Sequence, residues 1–352
     1  MKKIRENIWK ENEYTYEASY GFVPNLMTYL HEEGSESEYS DESSDESSET
    51  SLETFSEKNL RPCMLVVPGG GYCMVVPPEG EAVAKEFYDR GMQAFVLTYT
   101  TDITFSVPLH KQPLNDISRA VRYIRKNAER FGIDPNRIVI CGFSAGGHVC
   151  GSLGVHYKDV TDPDPELQKI SNRPDAMFLC YPVITSGEFT HEYSMVALTG
   201  NDAEERKYFS LENYVTEDTP PTFLWQTVED DLVPVKNSMM FASACKKAGV
   251  PYAYYAFPFG WHGLSIHTDS WRHGDFGEDY TMEQVVKAVQ AVREGKGIRV
   301  SEQRCEELKA QFSAPPQGSG KPCPKFSDVA RWPDLAMDFL SVQFGEKPER
   351  NF

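Results

Sequence analysis

From Arg61 onward the chain alternates short, almost wholly apolar runs with stretches whose apolar residues recur every three or four positions. No other feature restricts the fold as much. The runs CMLVVP, QAFVLTY, RIVICGF, AMFLCYP, FLWQTV and YAYYAF have the length of strands and lack polar alternation, as strands covered on both faces do. Between them Ile117, Ala120, Val121, Ile124 and Ala128 form one helical stripe. Further helices are predicted from about Glu79 to Arg90 and from Val235 to Lys247, and PDLAMDFLSVQF reads as a closing helix. Strand–helix alternation of this kind predicts an α/β fold with a mostly parallel central sheet and helices on both faces. A chain of 352 residues can bury a large core, and we expect a single domain over 1–352.

Three segments depart from the alternation. EYTYEASY and NLMTYLHE alternate with the strand period and are separated by Gly21 and Pro24, which predicts an N-terminal edge hairpin. Residues 32–58 are rich in Ser, Glu and Asp with almost nothing to bury, so a disordered, solvated insertion is expected. Its serines amid acids also resemble acidophilic kinase sites. Residues 264–331 are too long for a simple loop. TMEQVVKAVQAVREG, with Val285, Val289 and Val292 at helical spacing, and SEQRCEELKAQF predict a helical insertion before the last helix.

Charge and cysteine narrow the function classes. The formal net charge is -18, but residues 32–58 hold eleven acidic side chains against one lysine, so most of it is local. An acidic surface repels phosphate backbones, and no nucleic-acid partner is expected. No run approaches the ~18 apolar residues of a membrane span, so no membrane partner is expected either. The opening MKKIRENIWKENEYTYE lacks the apolar core of a secretory signal, which leaves a cytoplasmic address. Eight scattered cysteines, several inside apolar runs, fit a reduced chain. No CxxC pair or HExxH is present, so no metal or cofactor is expected.

The chemistry concentrates in four segments. Gly142-Phe143-Ser144-Ala145-Gly146 is a G-x-S-x-G match that follows the strand RIVIC and precedes the helix AGGHVCGSLGVHY. That strand–turn–helix setting is what a nucleophile elbow requires, and it makes Ser144 the candidate nucleophile. Gly69-Gly70-Gly71 follows the strand CMLVV, where backbone amides can approach a ligand closely. The amides of Ala145 and of Gly70 or Gly71 are the candidate oxyanion hole. FLWQTVEDDLVPVKNS puts Glu229, Asp230 and Asp231 after an apolar run. The D-x-x-V-P pattern selects Asp230 as the acid, with Asp231 as substitute. His262, in FPFGWHGLS after YAYYAF, completes the chain order Ser144, Asp230, His262 of an α/β-hydrolase fold. His31, His110, His156, His191, His267 and His273 read as structural or surface residues, and His148 as open between helix packing and substrate. Tyr72 and Trp261 flank catalytic segments and are candidate substrate-binding platforms, although core packing would explain them equally.

VVPGGGY, PPEGEAVAKEF, NAERFGIDPNRIVICGFSAGGHV, YPVIT, VEDDLVPVKNS, GWHGLS and VARWPDLAMDFL together resemble the carbohydrate-acetylesterase and acetylxylan-esterase-like branch of the α/β-hydrolases. The resemblance covers roughly Arg61 to Ser265 plus Ala330 to Phe344. It implies a serine esterase whose small-molecule ester substrate is an acetylated saccharide. Two alternatives stand beside it: a small serine peptidase of the prolyl-oligopeptidase type, and a non-catalytic hydrolase-fold binding protein.

Overall fold

The computed structural model describes residues 1–10, 12–32, 60–313 and 323–345. Its strands are β1 (Arg5–Asn7), β2 (Asn25–Tyr29), β3 (Arg61–Val67), β4 (Gln93–Thr98), β5 (Ile133–Phe143), β6 (Ala176–Cys180), β7 (Thr222–Thr227) and β8 (Tyr252–Phe257). They form one eight-stranded sheet in the order β1-β2-β4-β3-β5-β6-β7-β8. From β4 to β8 every neighbouring pair is parallel, whereas β1–β2 and β2–β4 are antiparallel. The parallel portion therefore brings the ends of β3, β5, β6, β7 and β8 to one edge, where α/β sheets place their sites.

The helices are α1 (Glu81–Asp89), α2 (Gln112–Lys126), α3 (Ala128–Phe131), α4 (Ala145–His156), α5 (Pro165–Gln168) and α6 (Glu192–Thr199). They continue with α7 (Ala203–Tyr208), α8 (Lys236–Ala248), α9 (Asp269–Arg272), α10 (Glu283–Glu294), α11 (Glu302–Ser313) and α12 (Trp332–Gln343). Successive strand residues feed opposite cores, which is why the strand runs are apolar throughout. Leu65, Leu97, Ile140, Leu179 and Leu224 join Ile117, Val121, Val149 and Phe241 of α2, α4 and α8. Met64, Val96, Cys141, Phe178 and Trp225 join Val83, Phe87, Trp332 and Ala336 of α1 and α12. Trp332 is fully buried, with its ring centroid 5.6 Å from Trp225, 5.8 Å from Phe87 and 6.0 Å from Phe143. Its indole N–H donates to the Ser265 carbonyl at 2.8 Å, so α12 also pins the chain beyond β8.

Two expectations are corrected. The edge hairpin exists, but NLMTY pairs with Arg5–Asn7 and not with EYTYEASY. The tyrosines of that second segment spend their hydroxyls on the loop after β4. Tyr14 meets Thr100 Oγ1 at 2.9 Å, Tyr16 donates to the Val107 carbonyl at 2.6 Å, and Tyr20 meets Thr104 Oγ1 at 3.1 Å. Their alternation thus records side chains docking on a loop, not a ladder. Similarly, YAYYAF is the edge strand β8, partly exposed along most of its length, with its aromatic side chains supplying the apolar look of a central strand.

Apart from Glu32, the acidic insertion lies outside the described residues. The stretch 264–331 does contain helices. In α10 the buried stripe is Gln284, Val285, Ala288 and Val292, so Val289 is only partly covered. Val292 packs with Cys305 and Leu308 of α11 in a small core of its own. Gln284 Oε1 accepts the Thr101 N–H at 2.8 Å, which docks α10 on the segment following β4 at the carboxyl edge of the sheet. Among the described residues, no helix is long and apolar enough to cross a membrane.

Candidate active site

Ser144 sits between the last residue of β5 and the first of α4, at φ 52° and ψ -117°. Such a backbone is strained for a residue with a Cβ, and it persists only where the surroundings over-determine it. They do so here. Ser144 N–H donates to the Cys180 carbonyl at 3.0 Å, and the Ser144 carbonyl accepts from His148 and Val183, each at 3.1 Å. Close approach explains the flanking glycines. A Cβ at Gly146 would overlap the Val67 carbonyl, and one at Gly142 would overlap the Gly146 carbonyl.

The three groups singled out in sequence meet at the sheet edge. His262 Nε2 lies 2.8 Å from Ser144 Oγ, and His262 Nδ1 lies 2.8 Å from Asp230 Oδ2. The Asp230 side chain is wholly buried and that of His262 is 11% exposed, so the chain of bonds is sheltered from water. Asp230 Oδ1 also accepts the N–H groups of Leu232 (3.1 Å) and Val233 (2.9 Å), and Oδ2 accepts from Gln226 Nε2 at 2.9 Å. A carboxylate is an acceptor only, so this wiring places the imidazole proton on Nδ1 and leaves Nε2 to accept from the serine hydroxyl. The other two carboxylates of the EDD run hold the backbone of the histidine loop. Glu229 accepts the Gly260 N–H at 3.3 Å, and Asp231 accepts the His262 N–H at 3.4 Å.

The glycine loop after β3 runs alongside the serine. A Cβ on Gly69 would come within 2.9 Å of Ser144 Cβ and 2.6 Å of the Phe143 carbonyl. Gly70 (φ 125°) and Gly71 (φ 62°) occupy backbone regions that favour glycine. Among the described residues, the amides of Gly70, Gly71 and Ala145 have no hydrogen-bond acceptor, whereas the Gly69 amide donates to Glu79 Oε2 at 2.6 Å.

Tyr72 corrects its expectation. It is 1% exposed, and its hydroxyl lies 2.6 Å from His148 Nδ1, so its ring belongs to the core and offers no face to a substrate. His148 is fully buried, its Nε2 bonds the Phe209 carbonyl at 2.9 Å, and desolvation pushes its pKa down to about 4. It is a packing residue. The open ring beside the glycine loop is instead Tyr193, half exposed, 3.3 Å from where a Gly71 Cβ would stand and edge-on to Phe105 at 4.6 Å. Trp261 is 41% exposed and meets Phe326 edge-on at 5.5 Å.

Sequence reasoning passed over three further groups. Glu79 is buried beneath the glycine loop, and Tyr181 donates to its Oε1 at 2.7 Å. The Tyr181 ring packs edge-on against His262 at 4.9 Å. His191, read as a structural or surface residue, is bonded to Ser194 Oγ at 2.7 Å. Its pKa is lowered by burial first and then by the field of His262, against an opposing pull from Asp230. No sequence signal marks these residues, because each meets the site through a contact made by the folded sheet. A cavity of ≈ 570 Å³ lined by Thr185, Phe189, Arg206 and Glu212 includes none of Ser144, Asp230 and His262. Among the described residues, no group of three or more His, Cys, Asp or Glu side chains is placed to hold a metal ion.

A mostly parallel sheet carrying a serine on a strained strand–helix turn defines the class: the chain is an α/β-hydrolase. It belongs to the BD-FAE family, whose profile matches residues 52–245, a span that includes Ser144 and Asp230 and stops short of His262. Two relatives carry names connected with xylan. The chain is 54% identical over 294 residues to endo-1,4-beta-xylanase B of Butyrivibrio fibrisolvens, covering 83% of this chain and 42% of that protein. It is 29% identical over 246 residues to an acetylxylan esterase of Xylanibacter ruminicola, covering 67% of this chain and 47% of that protein. The chain therefore spans less than half the length of either. Among solved structures, the acetyl ester-xyloside bifunctional hydrolase from Caldicellulosiruptor lactoaceticus matches with a TM-score of 0.64 and 34% identity, covering 83% of this chain and 96% of that one.

Proposed function

We propose that this protein hydrolyses carboxylic esters through an acyl-enzyme, and that its substrates are saccharides carrying small acyl groups, acetyl above all. The observation that carries the reading is the unbroken chain of hydrogen bonds from Ser144 Oγ through His262 to Asp230. His262 Nε2 takes the hydroxyl proton as Ser144 Oγ attacks the ester carbonyl, and Asp230 holds the ring and its charge. The amides of Ala145 and of Gly70 or Gly71 receive the oxyanion. Collapse of the tetrahedral intermediate passes the proton from Nε2 to the leaving sugar hydroxyl. Water, deprotonated by the same nitrogen, then releases the acid and restores the serine. Trp261 and Tyr193 are exposed rings on which a sugar face can rest.

The acetyl-saccharide assignment draws support from the two relatives whose names contain acetyl ester chemistry. Glycoside cleavage suits the site less well. It calls for two carboxyl groups facing each other across the bond, whereas here one carboxylate is buried behind an imidazole that faces a hydroxyl. The triad contacts suit the peptidase alternative as well, and the relatives named as esterases favour the ester reading over it; the intact triad speaks against the non-catalytic one. The eight cysteines are free and seven are buried, which supports a reduced, cytoplasmic setting; we read 1–352 as one domain, and the acidic surface disfavours nucleic acid and anionic membranes as partners.

The test is hydrolysis of p-nitrophenyl acetate and of acetylated xylo-oligosaccharides by the purified protein and its Ser144→Ala variant. The wild type turns over both and the variant neither. A Ser144→Ala protein working at the wild-type rate would remove this serine from the mechanism.

A further inference from the structure

Glu79 is a carboxylate that the reaction described above does not use, and its surroundings are unusual for one. It is 4% exposed, and the strongest influence on its ionisation is burial, which raises its pKa. What opposes burial is the hydrogen bond from Tyr181, the hydrogen bond from the Gly69 amide and the field of His262. A buried carboxyl group with no cation bonded to it is a cost to folding. Its two oxygens reach the two sides of the site. Oε2 accepts the Gly69 N–H at 2.6 Å, at the root of the loop that carries Gly70 and Gly71. Oε1 accepts the Tyr181 hydroxyl at 2.7 Å, and that hydroxyl accepts the Ser265 N–H at 3.1 Å, three residues beyond His262. The Tyr181 ring stands edge-on to the imidazole at 4.9 Å.

We propose that Glu79 is a positioning residue for the ester hydrolysis: it fixes the amide loop through Gly69, braces His262 through Tyr181, and, with both oxygens acting as acceptors, adds a buried negative charge that favours the imidazolium. The inference rests on the esterase reading. The other ionisable groups facing His262 are Asp230, Ser144, Asp231 and Glu229 from the loop after β7 and the elbow, and His191 from the start of α6. Around Glu79 stand Tyr99, Tyr181 and Cys180, each raised well above its ordinary pKa by burial and so neutral across the working range. A change confined to Glu79 therefore alters one charge near the imidazole and leaves the rest in place.

The experiment compares pH profiles of kcat/KM on p-nitrophenyl acetate for the wild type, Glu79→Gln, Glu79→Asp and Tyr181→Phe. Removing the charge makes the imidazole harder to protonate, so in Glu79→Gln the acid limb moves to lower pH by roughly one unit, and kcat falls about tenfold with KM little changed. Glu79→Asp keeps the charge and holds the limb in place. Tyr181→Phe lowers kcat by removing the brace; because it also takes away a hydrogen bond that favours ionised Glu79, its limb lies between those of the wild type and Glu79→Gln. An active wild type whose limb stays put in Glu79→Gln, or moves equally in Glu79→Asp, overturns the inference. Should Glu79→Gln fail to fold, the other two variants decide: a limb displaced in Glu79→Asp, or an unchanged kcat in Tyr181→Phe, overturns the inference. An inactive wild type overturns the esterase reading instead.

Discussion

The choice between Asp230 and Asp231 can be settled by replacing each with asparagine. Four donors converge on Asp230: the Leu232 and Val233 amides on Oδ1, and Gln226 Nε2 and His262 Nδ1 on Oδ2. An asparagine has a single acceptor oxygen. The two amides of the tight turn hold that oxygen, so the NH2 group is turned toward Gln226 and His262. A donor now faces a donor, and the imidazole responds by moving its proton to Nε2, where it can no longer accept from Ser144. With geometry intact and the tautomer wrong, kcat should fall by up to ~10⁴, about 5 kcal/mol of barrier. Leaving the buried amide unmatched should also cost about 1–3 kcal/mol of stability. At Asp231 the exposed side chain accepts one long bond of 3.4 Å from the His262 backbone, which asparagine can keep. That variant should stay within about threefold of wild type. Steady-state kinetics on p-nitrophenyl acetate, with Tm recorded for both proteins, reads the outcome. Near-normal turnover in Asp230→Asn alongside a collapse in Asp231→Asn would refute the reasoning and move the acid by one position.

Three further outcomes follow from individual environments. Trp332→Ala should destabilise the fold by about 3–5 kcal/mol in urea unfolding, because it opens a cavity among Trp225, Phe87 and Phe143 and removes the bond to the Ser265 carbonyl. His148, held neutral by burial with its pKa near 4, binds fewer protons folded than unfolded between about pH 6.5 and 4. Stability should therefore be lost as pH falls through that window, by about 3 kcal/mol at the low end, and His148→Gln should flatten Tm against pH there. Trp261→Ala should raise KM severalfold for an acetylated oligosaccharide while leaving p-nitrophenyl acetate unaffected; equal effects on both substrates would deny the ring a role in holding sugar.

Legibility in the sequence followed the range of the interaction. The elbow could be read because its demands are local. Gly142 and Gly146 answer overlaps within a few residues and with the adjacent strand, and the glycines after β3 stand at a strand end that the apolar run announces. The order Ser144, Asp230, His262 was legible because parallel topology sends each to the same edge. By contrast, EYTYEASY carried a strand-like period for another reason, as its tyrosines dock on the Thr100–Val107 loop. Tyr72 follows the glycine loop directly, which made it look available, but its positive φ of 63° belongs to a chain that turns its ring inward to His148. Tyr193, more than a hundred residues away, is the ring that stands exposed beside the glycine loop. Period and adjacency report neighbours along the chain; they carry no information on which distant loop a side chain will meet.

The carboxylates around His262 suggest why the site tolerates so exposed a histidine loop. Phe259 is 58% exposed and Trp261 is well exposed, so between Phe257 and Leu264, both buried, no large apolar side chain anchors the loop by burial. The loop is held instead through its backbone and its ring: Glu229 on the Gly260 amide, Asp231 on the His262 amide, Asp230 on the imidazole, and Tyr181 on the Ser265 amide. Three of those four anchors are consecutive residues leaving β7, the parallel neighbour of β8, so one turn of chain fixes both the position and the tautomer of the histidine. An imidazole misplaced by 1 Å can cost a hundredfold in rate. A rigid turn that grips the loop by its amides resists such displacement although the neighbouring Phe259 and Trp261 side chains stay exposed.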